Sequence, residues 1–203
     1  MIKNIVFDMG GVLINLDKDA CINAFQQIGF TDIEQYIGKY VQNGVFSSFE
    51  KGEIDTQTFI RTIQLHIEYS VNDEAIVEAW CAMLLDIPEH KLSLLRRLKK
   101  SHRLLMLSNT NVIHFETIKH NYFEKDGYSM HDYFEKCYLS HQLQCAKPDT
   151  NIYEIMLRDA GIEPHETLFI DDSADNIATA HELGFHTYLA KEKEDFSHLF
   201  VSL

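Results

Sequence analysis

The sequence predicts an α/β fold, a parallel sheet flanked by helices and interrupted behind its first strand by a helical insertion. Three observations carry this. An unbroken β-branched and aromatic run, Ile5-Val6-Phe7, reaches a lone carboxylate, Asp8, and turns on Gly10-Gly11. From Pro88 onward, short apolar runs alternate with helical patterns, the order of a parallel sheet. Between Asp17 and Asp86, by contrast, the apolar stripes keep helical spacing. The expected division is a core of residues 1–16 and 87–203 and a four-helix unit of residues 17–86 above the site.

The first strand, Ile5 to Phe7, lacks the alternation of a half-solvated strand and is therefore expected to be buried on both faces. Its carboxyl end is where open α/β sheets place ligands, which makes Asp8 a candidate site residue, and the glycine pair permits close backbone approach. A turn-forming Asp before two glycines would need no ligand, so the rest of the chain decides. Ala20, Cys21, Ala24, Phe25 and Ile28 recur at helical spacing up to Gly29. Thr31-Asp32-Ile33-Glu34 has the spacing of a capping box, predicting a second helix through Ile33, Tyr36, Ile37, Tyr40 and Val41 that stops before Gly44. Asp55-Thr56 caps a third, with Phe59, Ile63 and Ile67 on one face, and Asn72 a fourth, with Ile76, Val77, Trp80 and Leu84.

Pro88 suits the first turn of a helix with Leu92, Leu95 and Leu98 inward; Arg96, Arg97, Lys99 and Lys100 gather at its carboxyl end, as the helix dipole favours. The second strand, Leu104 to Leu107, runs into Ser108-Asn109-Thr110-Asn111. That run reads either as a helix N-cap or as a cradle of hydroxyl, amide and backbone N–H groups for an anion. His114 to Phe134 reads as one helix and a loop. A third strand at Lys136 to Ser140 leads to Lys147-Pro148-Asp149, with Pro148 opening a helix that carries Ile152, Ile155, Met156 and Ala160 to Gly161. A cation just ahead of a helix start opposes the dipole, so Lys147 points to an anion nearby. The fourth strand, Thr167 to Ile170, ends in Asp171-Asp172-Ser173-Ala174-Asp175-Asn176, where adjacent carboxylates repel unless a cation shares them. Ile177, Ala180 and Leu183 mark the next helix, Gly184 its stop, and Phe185 to Leu189 a fifth strand.

In a parallel sheet these strand ends lie on one edge and converge. The inventory is a carboxylate nucleophile, a hydroxyl, a cation and an acidic pair suited to an oxygen-loving metal such as Mg2+. The order and context of FDMGGVL, LSNTN, KPD and IDDSADN resemble the four motifs of the haloacid dehalogenase (HAD) superfamily of hydrolases, over the whole chain. The insertion is similar to its C1-type cap, so the implied fold is a HAD-like Rossmann-type sheet with a helical cap. LSNTN, YLS, KPD, IY and DDSADNI look closest to the α-D-glucose-1-phosphate phosphatase type.

The resemblance implies a Mg2+-dependent phosphomonoesterase acting on a small phosphorylated metabolite, such as a sugar 1-phosphate, through an aspartyl-phosphate. Asp8 would attack phosphorus, and Ser108 with the backbone around Asn109 would bind the phosphoryl oxygens. Lys147 would neutralise charge. Asp172 would hold Mg2+ with Asp8 and the Gly10 carbonyl, supported from behind by Asp171 and Asn176. One departure stands out. Family phosphatases usually carry a second Asp two residues after the nucleophile as general acid and base, and here that position is Gly10. The glucose-1-phosphate type also shows Gly there, and an anomeric leaving group needs less protonation. Asp17 is a substitute carboxylate in sequence, in competition with its role as an N-cap.

Two other readings compete: a metal-free 2-haloacid dehalogenase, against which the acidic pair argues, and a degenerate member that binds a phosphorylated ligand or a protein partner, for which Gly10 is the motive. At 203 residues and a formal charge of −13, the chain has room for a sizeable core but not the basic surface that nucleic acid or an anionic membrane requires. Four cysteines without CxxC spacing, with no secretory signal, predict reduced thiols in the cytoplasm. Eleven histidines include no HExxH or knuckle spacing, so a histidine metal site is not expected. Oligomeric state and the specificity residues of the cap are not legible.

Overall fold

The computed structural model describes residues 1–38 and 42–200. Strands β1 (Asn4–Phe7), β2 (Arg103–Ser108), β3 (Lys136–Leu139), β4 (Thr167–Asp171) and β5 (His186–Leu189) form one parallel sheet in the order β3-β2-β1-β4-β5. The expected α/β architecture is therefore present, with the strand that carries Asp8 at its centre. Phe7 sits opposite Met106 on one side and Ile170 on the other, and all of β1 is buried, as its unbroken apolar run requires. Because successive residues point to opposite faces, Ile5 and Phe7 join Leu104, Met106 and Ile170 in one apolar layer, while Val6 joins Leu105, Leu107 and Phe169 in the other.

The helices among the described residues are α1 (Lys18–Gln27), α2 (Gly44–Glu50), α3 (Thr56–Gln64), α4 (Asp73–Cys81), α5 (Glu89–Leu98), α6 (Val112–Ile118), α7 (Met130–Tyr133), α8 (Ser140–Leu143), α9 (Thr150–Ala160) and α10 (Ala174–Glu182). Leucines of α5 and the final turn, Phe196–Phe200, close the first layer; Ile152, Tyr153 and Met156 of α9 and Ala180 of α10 close the second. Helices α1 to α4 fill the insertion and bury a third cluster around Trp80, whose ring lies 4.9 Å from Phe46, 6.1 Å from Phe59 and 6.4 Å from Phe25. Three expected caps are in place: Asp17 accepts from Ala20 N–H (3.0 Å), Asp55 from Thr58 (2.8 Å) and Asn72 from Ala75 (2.9 Å).

The second helix of the insertion is not where the capping-box spacing predicts it. Asp32 makes no side-chain cap bond, and only a single 3-10 turn forms, Ile33–Gln35. The chain then folds back, so that Asn43 N–H donates to the Tyr36 carbonyl (2.8 Å), while Phe30 and Tyr36 pack around the His66 ring at 4.7 and 5.4 Å. Ring packing around His66 outweighs local helix preference. Tyr40 and Val41, assigned to that stripe, lie outside the described residues. Helix α2 begins instead at Gly44, expected as a stop, and buries Phe46 and Phe49. Smaller differences follow the same logic: α5 starts after Pro88, and α9 is capped by Asp149 rather than opened by Pro148. After α6 the chain widens into one π-turn, Lys119–Phe123, before the short α7.

The segments entering and leaving the insertion run side by side. Asn15 N–H donates to the Asp86 carbonyl (2.9 Å), Leu85 to Asn15 (3.0 Å) and Asp17 to Met83 (2.9 Å). At its far side the insertion touches the core through Gly52, where a Cβ would fall 2.0 Å from the His141 carbonyl oxygen and φ is +65°. Only glycine allows that approach. None of the helices among the described residues is long and apolar enough to cross a membrane.

Candidate active site

The carboxyl edge of the sheet and the underside of the insertion enclose a cavity of about 110 Å3, whose lining includes Asp8, Gly10, Ser108, Asn109, Lys147, Asp172 and Asn176. Asp171, fully buried, stands directly behind. The structure thus brings together the candidate site residues of the four motifs, although they span the sequence from 8 to 176.

Asp8 is fixed at the end of β1 by its own N–H to the Ile170 carbonyl (2.9 Å), and its Oδ1 accepts from Met9 N–H at 2.7 Å. Lys147, 3% exposed, uses all three of its ammonium protons: its Nζ lies 2.9 Å from Asp8 Oδ1, 2.6 Å from Asp171 Oδ2 and 2.8 Å from the Leu107 carbonyl. Asn109 holds the lysine loop rather than the cavity, donating to the Lys147 carbonyl and accepting from its N–H, both at 2.8 Å. Asp171 is satisfied from behind by Ser173 N–H (2.8 Å) and by Asn176 Nδ2 (2.9 and 3.1 Å). The run Ser108-Asn109-Thr110-Asn111 serves as a helix cap and also lines the cavity. Asn111 caps α6 through His114 N–H (3.0 Å), while the Ser108 hydroxyl, buried in the cavity, has no hydrogen-bond partner among the described residues.

Burial pushes the Asp8 carboxyl up to about 7, with Lys147 pulling it down and Asp171 and Asp172 adding to the rise. For Lys147, burial lowers the pKa, but Asp171 and Asp8 outweigh it and hold the ammonium charged. Carboxylate oxygens of Asp8, Asp171 and Asp172 come within 4.8 Å of one another. Three aspartates beside one lysine form a hard oxygen donor set with excess negative charge, which suits Mg2+. The backbone is shaped around it: at Gly11, with φ +70°, a Cβ would lie 2.3 Å from Asp172 Oδ2. Gly10, where family phosphatases carry the second Asp, has no such constraint. A Cβ there would meet only the Leu16 side chain, at 3.2 Å.

Asp17 is spent as the N-cap of α1 and lines an outer groove rather than this cavity. Its role as a substitute acid is not supported. Glu50, which the sequence does not single out, lines the cavity from the last residue of α2, and burial, aided by the charge of Asp8, pushes its carboxyl up to about 8. Gln42 lines it too, with Oε1 buried and unpartnered among the described residues. His114 is structural: its Nε2 donates to the Trp80 carbonyl (2.9 Å), its ring stacks on Trp80 at 4.3 Å, and burial lowers its pKa to about 4.

The chain is similar to known proteins over nearly its whole length. Residues 2–184 match the haloacid dehalogenase-like hydrolases. The chain is 35% identical over 196 residues to a D-ribitol-5-phosphate phosphatase of Bacteroides thetaiotaomicron, covering 97% of this chain and 95% of that one. A HAD family enzyme from the same organism, crystallised as wild type with magnesium and inorganic phosphate, superposes with a TM-score of 0.94 at 44% identity, over 98% of this chain and 100% of that one. A HAD-like hydrolase of Porphyromonas gingivalis superposes at 0.91 and 34% identity over the full length of both. The glucose-1-phosphate subtype is not the name these relatives carry. By sequence and fold, this chain belongs to the haloacid dehalogenase-like hydrolase family.

Proposed function

We propose that the protein is a Mg2+-dependent phosphomonoesterase that hydrolyses a small phosphorylated sugar or polyol through an aspartyl-phosphate on Asp8, with residues 17–86 acting as a cap over the core of 1–16 and 87–203. The observation that carries this is Lys147, bonded at once to Asp8 and Asp171 beneath a cavity in which the Ser108 hydroxyl is unpartnered among the described residues. Such a site offers a nucleophile, a fixed positive charge and a donor to a group with several anionic oxygens.

Asp8, held by Met9 N–H and Lys147, attacks phosphorus, and the ester P–O bond breaks. Ser108 and the backbone around Asn109 bind the phosphoryl oxygens, and Lys147 offsets the charge shared by nucleophile and phosphate. Water then cleaves the acyl phosphate. Asp8, Asp172 and the Gly10 carbonyl would hold Mg2+, with Asp171 and Asn176 behind them, and the ion would supply further charge neutralisation there. The crowding of three carboxylates favours this over a metal-free dehalogenase.

The expectation of a sugar 1-phosphate rested on the resemblance of LSNTN, YLS, KPD, IY and DDSADNI to the glucose-1-phosphate type, with which Gly10 and its missing acid are consistent. Two observations favour an ester of a primary alcohol instead: the relative at 35% identity is named for ribitol 5-phosphate, and a cap carboxyl, Glu50, lines the cavity. Gln42 Oε1, unpartnered among the described residues, is an acceptor for a substrate hydroxyl.

The test is phosphate release from a panel of sugar and polyol phosphates, with Mg2+ and with excess chelator. Release is expected only with Mg2+, and Asp172→Ala is expected to lose it even at high metal concentration. Undiminished release in chelator would overturn the metal assignment; no release from any ester would overturn the phosphatase reading.

A further inference from the structure

We propose that Glu50 is the general acid and base of the reaction, delivered from the cap in place of the carboxylate that Gly10 lacks. This rests on the phosphatase reading above.

The chemistry sets the demand. A primary alkoxide is a strong base and leaves poorly unless protonated, and a positioned acid contributes about 10²–10⁴ in rate. The other carboxyls near the reaction are committed: Asp171 to Lys147 and Asn176, Asp8 to attack, and Asp172 to the cation; Asp17 caps α1 outside the cavity. Of the described residues that line the cavity, Glu50 is the one carboxyl contributed by the insertion. It therefore reaches the cavity from the insertion rather than from the strand ends that hold Asp8 and Ser108, and the leaving group of an ester bound there by its phosphoryl group must extend toward the insertion.

Its position is built rather than incidental. The Glu50 carbonyl lies 2.6 Å from Ser140 Oγ, and that same oxygen accepts from Thr110 N–H at 2.8 Å. Ser140 is fully buried. One hydroxyl thus ties the backbone of the acid to the loop that cradles phosphate. Two residues on, Gly52 lets the insertion close against the His141 carbonyl. Burial favours the neutral carboxyl, the form needed to begin the cycle.

The steps balance. In the first, an oxygen of Asp8 bonds to phosphorus, the P–O bond to the alcohol breaks, and the Glu50 carboxyl proton passes to that oxygen, releasing the alcohol. In the second, the Glu50 carboxylate takes a proton from water as its oxygen bonds to phosphorus and the bond to Asp8 breaks. Phosphate leaves, and both side chains return to their starting states.

Glu50→Gln keeps shape and removes the transferable proton; Glu50→Asp keeps the proton and shortens its reach. Each is compared with wild type by rapid-quench single turnover at saturating Mg2+, on ribitol 5-phosphate and on p-nitrophenyl phosphate, whose leaving group needs no proton. For Glu50→Gln, phosphorylation of the enzyme by ribitol 5-phosphate is expected to slow by about 10²–10⁴-fold. Phosphorylation by p-nitrophenyl phosphate should fall far less, and the aspartyl-phosphate should accumulate because its hydrolysis has lost its base. Glu50→Asp should recover part of the rate on ribitol 5-phosphate. An equal fall on both esters, or none on either, would overturn the assignment while wild-type turnover leaves the phosphatase reading standing. A wild-type protein that releases phosphate from neither would remove both.

Discussion

Asp8→Asn is expected to abolish phosphate release, by about 10⁴-fold or more, without loss of the fold. Its Oδ1 is held by Met9 N–H and Lys147, and an amide oxygen can keep that geometry while lacking the charge and nucleophilicity of a carboxylate. Stability should not suffer. Burial disfavours the ionised Asp8 in the first place, and Lys147 retains Asp171, so the denaturant midpoint is expected to stay level or rise. Phosphate release together with an unfolding curve checks both halves; near wild-type turnover by the folded variant would rule out covalent catalysis by Asp8.

Lys147→Met should lose activity too, but with the opposite signature in stability. Asp8 and Asp171 are both buried, and Lys147 is the cation bonded to each. Removing one partner of a buried ionic group leaves uncompensated charge and costs about 3–5 kcal/mol. The denaturant midpoint is therefore expected to fall sharply where that of Asp8→Asn does not. Adding Asp8→Asn to Lys147→Met should recover part of the stability and none of the activity, a coupling that a double-mutant cycle reads directly. Independent, additive effects would mean that the lysine is not held by its aspartates.

The two variants also mark what the sequence makes legible. Asp8, Ser108, Lys147 and the Asp171-Asp172 pair each follow an apolar strand or the loop behind it, and a parallel sheet has only one edge on which such ends can gather. The strands were readable because β1 is buried on both faces and so cannot alternate. The sequence places Asn109 in a phosphate cradle; it lines the cavity, but its side chain braces the lysine loop, a contact across 38 residues that no local pattern announces.

The insertion was less legible for a physical reason. Periodicity finds the face of a helix that is apolar; it does not say whether a polar residue at the helix end meets water or a cleft. Glu50 closes α2 in an ordinary polar context, and its place in the cavity depends on Ser140 and on the missing side chain of Gly52, both tertiary facts. The signal that existed was Val45-Phe46 and Phe49, a helical spacing obscured by reading Gly44 as a stop. The stripe after Asp32 failed for the converse reason: its apolar residues are buried as expected at Ile33 and Ile37, but by a turn packed around His66 rather than by a helix. Gly10 was legible as an absence of acid and not as what replaces it.

The claim on which the rest depends is that Asp8 carries the phosphoryl group and that water attacks phosphorus. A single turnover in heavy-oxygen water, quenched in acid, with mass analysis of both the released phosphate and the peptide containing Asp8, tests it most directly. A transient phosphoryl adduct on Asp8, heavy oxygen in the phosphate and none in the Asp8 carboxylate are expected. Heavy oxygen incorporated into Asp8 would place the attack at its carboxyl carbon, as in ester hydrolysis of the dehalogenase kind, and phosphate formed with no adduct at any time would contradict the covalent route altogether.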